Sequence, residues 1–238
     1  MDLQQNHEED GQRRLFPARS CRQILSPSHS HCRLRSACSA ERACSQTATS
    51  FQQPYALKLH RAQKHHFDLR LCYHWIAYSW AIYSMPSHCP DQSCEAVQVE
   101  DHLRENLLFE GVHPEGSVGA GPTIVIDKGT WEALPESLDI EESLRLGCLR
   151  FAFHEGNLLR GIWSLVRQKD CYRQENPRWI LTKEPDAYAV RKDPMEGLDW
   201  TKMRSCVTNL TLEEQESDWR LGIERFRRGD SLFPLFNP

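Results

Sequence analysis

The stretch "HRAQKHHFDLRL", His60 to Leu71, packs histidines, an aspartate and an arginine among regularly spaced apolar residues. From His66 onward, His66, Asp68 and Arg70 alternate with Phe67, Leu69 and Leu71. Successive side chains of a strand point to opposite sides, so an extended segment here carries one apolar face and one face of chemistry. His60, at the end of the preceding strand, can join that face. Neutral imidazoles and a carboxylate converging from different backbone positions bind a divalent metal, and His60, His66 and Asp68 form such a set, suited to manganese, iron or zinc. Arg70 continues the face, and a guanidinium beside a metal set grips a phosphate or carboxylate bidentately. The constellation points to an anionic substrate on a metal.

A second polar stripe follows in "VQVEDHLREN", where His102, Arg104 and Asn106 alternate. His102 can act as a general acid or as a phosphate contact near neutral pH. Two other readings fit the same spacing. An exposed strand with an Asp68–Arg70 ion pair needs no function. A His-x-Asp pair with a distant histidine, here His66, Asp68 and His102, is the arrangement of non-haem iron oxygenases on double-stranded barrels. The Gly-rich "FEGVHPEGSVGAG" lacks the GKS/T ending of a phosphate-binding loop, and its glycines read as turn formers.

Short strands separated by turn residues must position these groups. The pattern predicts strands over Tyr55 to His60, His66 to Tyr73, Trp75 to Ile82, Ala96 to Glu100, Thr123 to Asp127, Leu149 to Phe153, Leu158 to Arg167 and Trp179 to Lys183. Strands at this spacing predict a mainly β fold, a small closed or nearly closed β-barrel. One short helix, "DIEESLRLG", is capped by Asp139 and stopped by Gly147, and should cover a barrel end. Residues 1–53, rich in Ser, Arg, Gln and Cys, read as a disordered leader, 54–189 as the barrel domain, and 190–238 as a partly helical tail. In the tail, Thr211 and Glu214 form a capping box ahead of the stripe Trp219, Ile223 and Phe226, which should dock on the barrel.

Composition narrows the function. No apolar run approaches the roughly 20 residues that cross a bilayer, so no membrane role is expected. Ten cysteines are scattered without a close CxxC pair, which argues for reduced intracellular thiols over a disulfide framework or a zinc ribbon. A net charge of −4 is not that of a protein coating long nucleic acids, so a local feature such as a strand end fits better. The Arg- and Ser-rich leader has transit-peptide character, against which Glu8, Glu9 and Asp10 count.

From about Tyr55 to Ala189 the chain resembles the 3′-phosphoesterase domain of bacterial DNA ligase D and its stand-alone relatives. The blocks that carry the resemblance run in order: "HRAQKHHFDLRL", "SWAI", "VQVEDH", "FEGVHPEGSVGAG", "DKGTWE", "LRLGCLRFAF", "LRGIWSLVR" and "WILTKEPDAYA". The resemblance implies a small β-barrel that uses Mn2+, or another divalent transition metal, to trim 3′ ends of DNA. A terminal ribonucleoside and then the 3′-phosphate would be removed, leaving a 3′-hydroxyl for repair. By position, His60, His66 and Asp68 match the metal ligands, Arg70 the phosphate-gripping arginine, and His102 the active-site histidine.

Three positions depart from the family pattern. Its phosphate-binding lysine falls at Ser84, its second phosphate-binding arginine at Cys94, and its tyrosine at Asn106. Charge-assisted contacts contribute about 1.5 to 3 kcal/mol each, so losing two would slow catalysis by on the order of a hundredfold or more. Arg104, on the face of His102 if that segment is extended, is the expected phosphate-binding replacement, with Lys64 as a second candidate. The first reading is thus a metal-dependent phosphoesterase of 3′ ends with weakened or altered activity. Its alternatives are a catalytically degenerate module that binds nucleic-acid ends and, more distantly, the oxygenase. Expected partners are DNA or DNA/RNA primer-template 3′ ends and a separate ligase or polymerase, in the nucleus or alternatively the mitochondrion.

Overall fold

The computed structural model describes residues 52–137, 139–169 and 176–228. The leader, apart from its last two residues, lies outside these; Gln53, assigned to it, is the first residue of β1.

Eight antiparallel strands close on themselves: β1 (Gln53–Arg61), β2 (His65–Tyr73), β3 (Ile76–Ile82), β4 (Ser93–Gln98), β10 (Arg178–Lys183), β9 (Gly161–Arg167), β8 (Cys148–His154) and β7 (Gly121–Ala133), with β7 returning to β1. Closure gives each of these eight strands a partner on both sides. Each of these strands overlaps one expected from the sequence. Two short strands were not legible: β5 (His102–Leu103) pairs with β3, and β6 (Gly111–His113) with β7.

The barrel interior is filled by alternate residues of each strand. Tyr55, Leu57 and Leu59 of β1 and Phe67, Leu69 and Leu71 of β2 join Trp80, Trp131, Trp163 and Trp179 in one buried cluster. α1 (Ile140–Leu146) adds Ile140 and Leu144 to it. As expected, Asp139 accepts from the Glu142 N–H and Gly147 ends the helix at φ 81°.

Side chains of opposite parity face outward, where Ala56, Cys72, Ala77, Leu107 and Val125 form a second, smaller buried cluster. The segment between β4 and β7 and the C-terminal segment cover that outer face. Glu110 is the joint between them, accepting from the Val125 N–H, the Ser205 hydroxyl and the Thr208 hydroxyl. Beyond it, α2 (Leu212–Arg228) packs on β7, β6 and β1, as its apolar stripe predicts. Its capping box is formed, with the Glu214 N–H donating to Thr211 Oγ1 and the Thr211 N–H to Glu214 Oε2. The Phe226 side chain lies outside the described parts.

The expectation of reduced thiols holds only in part. Cys72, Cys89, Cys94 and Cys206 are free, but Cys148 is disulfide-bonded.

Candidate functional site

The strand register builds the site on the outer face of the barrel wall. His60 lies opposite His66, Lys58 opposite Asp68, and Ala56 opposite Arg70 across β1 and β2. Arg70 in turn lies opposite Ser79 on β3, and Ala77 opposite His102 of β5. Directly opposed residues of an antiparallel pair share a face, so His60, His66, Asp68, Arg70 and Lys58 come together by pairing alone.

His60 Nδ1 is 3.6 Å from Asp68 Oδ2, and His66 Nε2 is 3.3 Å from Asp68 Oδ1. One ligand atom from each of the three residues lies within 4.8 Å of the other two. The far nitrogens are both occupied: His60 Nε2 lies 2.8 Å from the Gly119 carbonyl and His66 Nδ1 2.9 Å from the Lys64 carbonyl. A carbonyl only accepts, so each ring donates outward, and its nitrogen facing Asp68 donates to the carboxylate when the ring is protonated and offers a lone pair when it is neutral. Pinning the tautomer through a backbone carbonyl is how metal-binding histidines are oriented, so the residues present fit a divalent metal. Burial would raise the Asp68 carboxyl, yet the His60 and His66 side chains and the Arg70 charge hold it well below the usual carboxylate range. Burial lowers His66, but Asp68 more than offsets this and its net shift is upward.

Arg70 is 5% exposed, enough for a pocket floor but not an open surface. Its Nη1 donates to the Asn106 carbonyl at 3.1 Å, while its Nε has no hydrogen-bond partner among the described residues. Ser79 Oγ gives its proton to the Ala77 carbonyl at 2.8 Å, so at 3.2 Å it accepts from His102 Nδ1. His102 Nε2 therefore holds the lone pair, and burial with the Arg70 charge lowers the pKa of this ring.

One predicted site residue, Arg104, does not meet its expected geometry. Arg104 begins a 3₁₀ turn over Arg104–Asn106, so the strand alternation that would put it beside His102 stops at Leu103. The exposed Arg104 guanidinium instead donates to the His74 carbonyl at 3.4 Å. Asn106 contributes its carbonyl rather than its side chain. Cys94 is buried in the interior cluster with Sγ toward the Met85 carbonyl, and Ser84 is exposed and neutral, so neither adds a cation to the outer face.

Sequence reasoning missed three contributors. Gly119, taken for a turn former, supplies the carbonyl that orients His60, and a Cβ there would stand 3.2 Å from His60 Cε1. His113 lies with its ring 5.4 Å from that of His60, and burial with the charges of His60, Lys58 and Arg70 pushes its pKa down to about 4. Lys58 is completely buried beside the site. Burial, then the Arg70 charge, pushes its pKa down to about 7. Its signal was present: it precedes His60 by two residues and so shares its face.

The described residues thus form a closed antiparallel barrel that carries a His-His-Asp set and an arginine on its outer wall. Residues 58–167 match the family model of the DNA Ligase D 3′-phosphoesterase domain. The chain is 38% identical over 144 residues to the multifunctional non-homologous end joining protein LigD of Pseudomonas aeruginosa, covering 60% of this chain and 16% of that protein. It is 31% identical over 152 residues to the LigD of Mycolicibacterium smegmatis, covering 61% and 18%. The chain thus spans less than a fifth of the length of these curated relatives.

Proposed function

We propose that this protein is a metal-dependent phosphoesterase that processes 3′ ends of DNA for repair, removing a terminal ribonucleoside and the 3′-phosphate to leave a 3′-hydroxyl. The observation that carries the reading is the convergence of two imidazole lone pairs and the Asp68 carboxylate beside an arginine with an unused buried donor. His60, His66 and Asp68 would hold the metal, Mn2+ being the ion the family resemblance implies. Bound there, a divalent ion supplies Lewis acidity to the phosphoryl oxygens.

The chain's own residues account for the rest. Arg70, tethered at Nη1 by the Asn106 carbonyl and with Nη2 3.9 Å from Asp68 Oδ2, has Nε left to donate to an anion and neutralises charge that develops on it. His102, held at Nδ1 by Ser79, takes up or returns a proton at Nε2. Covering by the Phe109–Glu110 segment lowers the local dielectric and strengthens both interactions.

A second reading, a module that binds 3′ ends without turnover, is favoured by one observation: Ser84 and Cys94 add no cation to the outer face. Incubation with Mn2+ and a primer ending in a single ribonucleotide separates the two. Cleavage that disappears in His66→Ala and Asp68→Ala supports the enzyme; retention of the primer without cleavage supports the module.

A further inference from the structure

Lys58 is 0% exposed, on the outer face, directly opposite Asp68 in the β1–β2 ladder. The ladder between β1 and β7 is irregular at Leu57/Lys58, and such bulges re-aim side chains beside functional sites. Its Nζ has no hydrogen-bond partner among the described residues, and the ring of Phe109 lies 5.5 Å away. The nearby carboxylates are Asp68 and Glu110. Asp68 already faces His60, His66 and Arg70, and Glu110 is engaged by Val125, Ser205 and Thr208. Arg70 beside it also has an unused donor at Nε. Two buried basic groups thus share carboxylates that are committed elsewhere. A buried amine left without a hydrogen bond is costly, and one that a native chain keeps beside a site marks a pocket that favours a negative charge.

We propose that Lys58 is the second phosphate-directed cation of this site, a positioning charge behind Arg70 that holds an incoming phosphoryl group and stands in for the cations absent at Ser84 and Cys94. The inference rests on the site being a phosphate site, as proposed above. Lys58 acts through its field, which a low-dielectric wall transmits over several ångströms without an open contact. It also does what Arg104, turned away to His74, does not. The same charge repels a divalent cation at His60, His66 and Asp68, so phosphate binding and metal binding should respond to it with opposite sign.

The test uses the full chain and two uncharged variants, Lys58→Met and Lys58→Gln. Mn2+ affinity is read by electron paramagnetic resonance, and the affinity of the Mn2+-loaded chain for inorganic phosphate by calorimetry. Both variants are expected to bind phosphate about tenfold or more weakly and Mn2+ more tightly, with the thermal midpoint kept or raised. Unchanged phosphate affinity, or parallel weakening of phosphate and Mn2+ binding, overturns the proposal, as does failure of both variants to fold, which would make Lys58 a structural residue. A wild-type chain that binds neither Mn2+ nor phosphate would instead sink the reading of the site itself, and Lys58 with it.

Discussion

His60 Nε2 donates to the Gly119 carbonyl across 2.8 Å, and this contact decides which nitrogen of His60 faces Asp68. Gly119 holds φ +76°, a conformation that strains other residues, and a Cβ would press on the imidazole. Gly119→Ala is expected to weaken Mn2+ binding by about tenfold or more, the usual cost of losing a ligand-orienting contact. Calorimetric titration of the variant with Mn2+ checks this.

The two arginines of the site region should behave differently. Arg70 is buried among the site residues, whereas Arg104, in the 3₁₀ turn after β5, is exposed and donates to the His74 carbonyl. Arg70→Ala is expected to lower kcat/KM on a 3′-phosphorylated primer by on the order of tenfold to a hundredfold or more, from the about 1.5 to 3 kcal/mol of a charge-assisted contact. Arg104→Ala should leave it within a factor of about two, because an exposed contact of this kind contributes little. Steady-state phosphate release measures both.

The capping box of α2 contributes to the docking of the C-terminal segment rather than to chemistry. Thr211→Ala removes the acceptor of the Glu214 N–H and is expected to cost about 1 kcal/mol. A denaturant midpoint shifted downward, with Mn2+ affinity unchanged, is the expected outcome.

His113 makes the metal-free chain sensitive to acid. Its pKa lies at about 4 in the folded chain, through burial and the neighbouring His60, Lys58 and Arg70, against about 6.5 when unfolded. The unfolded chain therefore takes up a proton first, and this site's contribution to stability is full above about pH 6.5 and is lost as the pH falls toward 4. In His113→Gln the drop in urea midpoint from pH 7.5 to pH 5, measured with chelator, should be smaller than in the wild type.

Much of this architecture was legible because period-two alternation is a strong signal. The eight barrel strands, the outward set His60, His66, Asp68 and Arg70, and both helix caps follow from local pattern and capping chemistry. What local pattern does not encode is the path of the covering segment. Arg104 was misplaced because two residues of strand pass into a 3₁₀ turn, which reverses the side-chain direction that alternation implies. Gly119 was invisible because its contribution is a carbonyl. Cys94 sits opposite Leu181 with its side chain inward, a matter of inter-strand register rather than of its own neighbours. Lys58 was passed over although its parity was right, since a lysine in a strand is ordinarily exposed and only the segment covering the outer face buries it.

The central claim is that His60, His66 and Asp68 make this site a working phosphoesterase centre. Release of inorganic phosphate from a 3′-phosphorylated primer-template by the full chain with Mn2+ tests it most directly. The account predicts release that leaves a 3′-hydroxyl end and falls by on the order of a hundredfold or more in both His66→Ala and Asp68→Ala. No release from the wild type, or release that persists in Asp68→Ala, would contradict it.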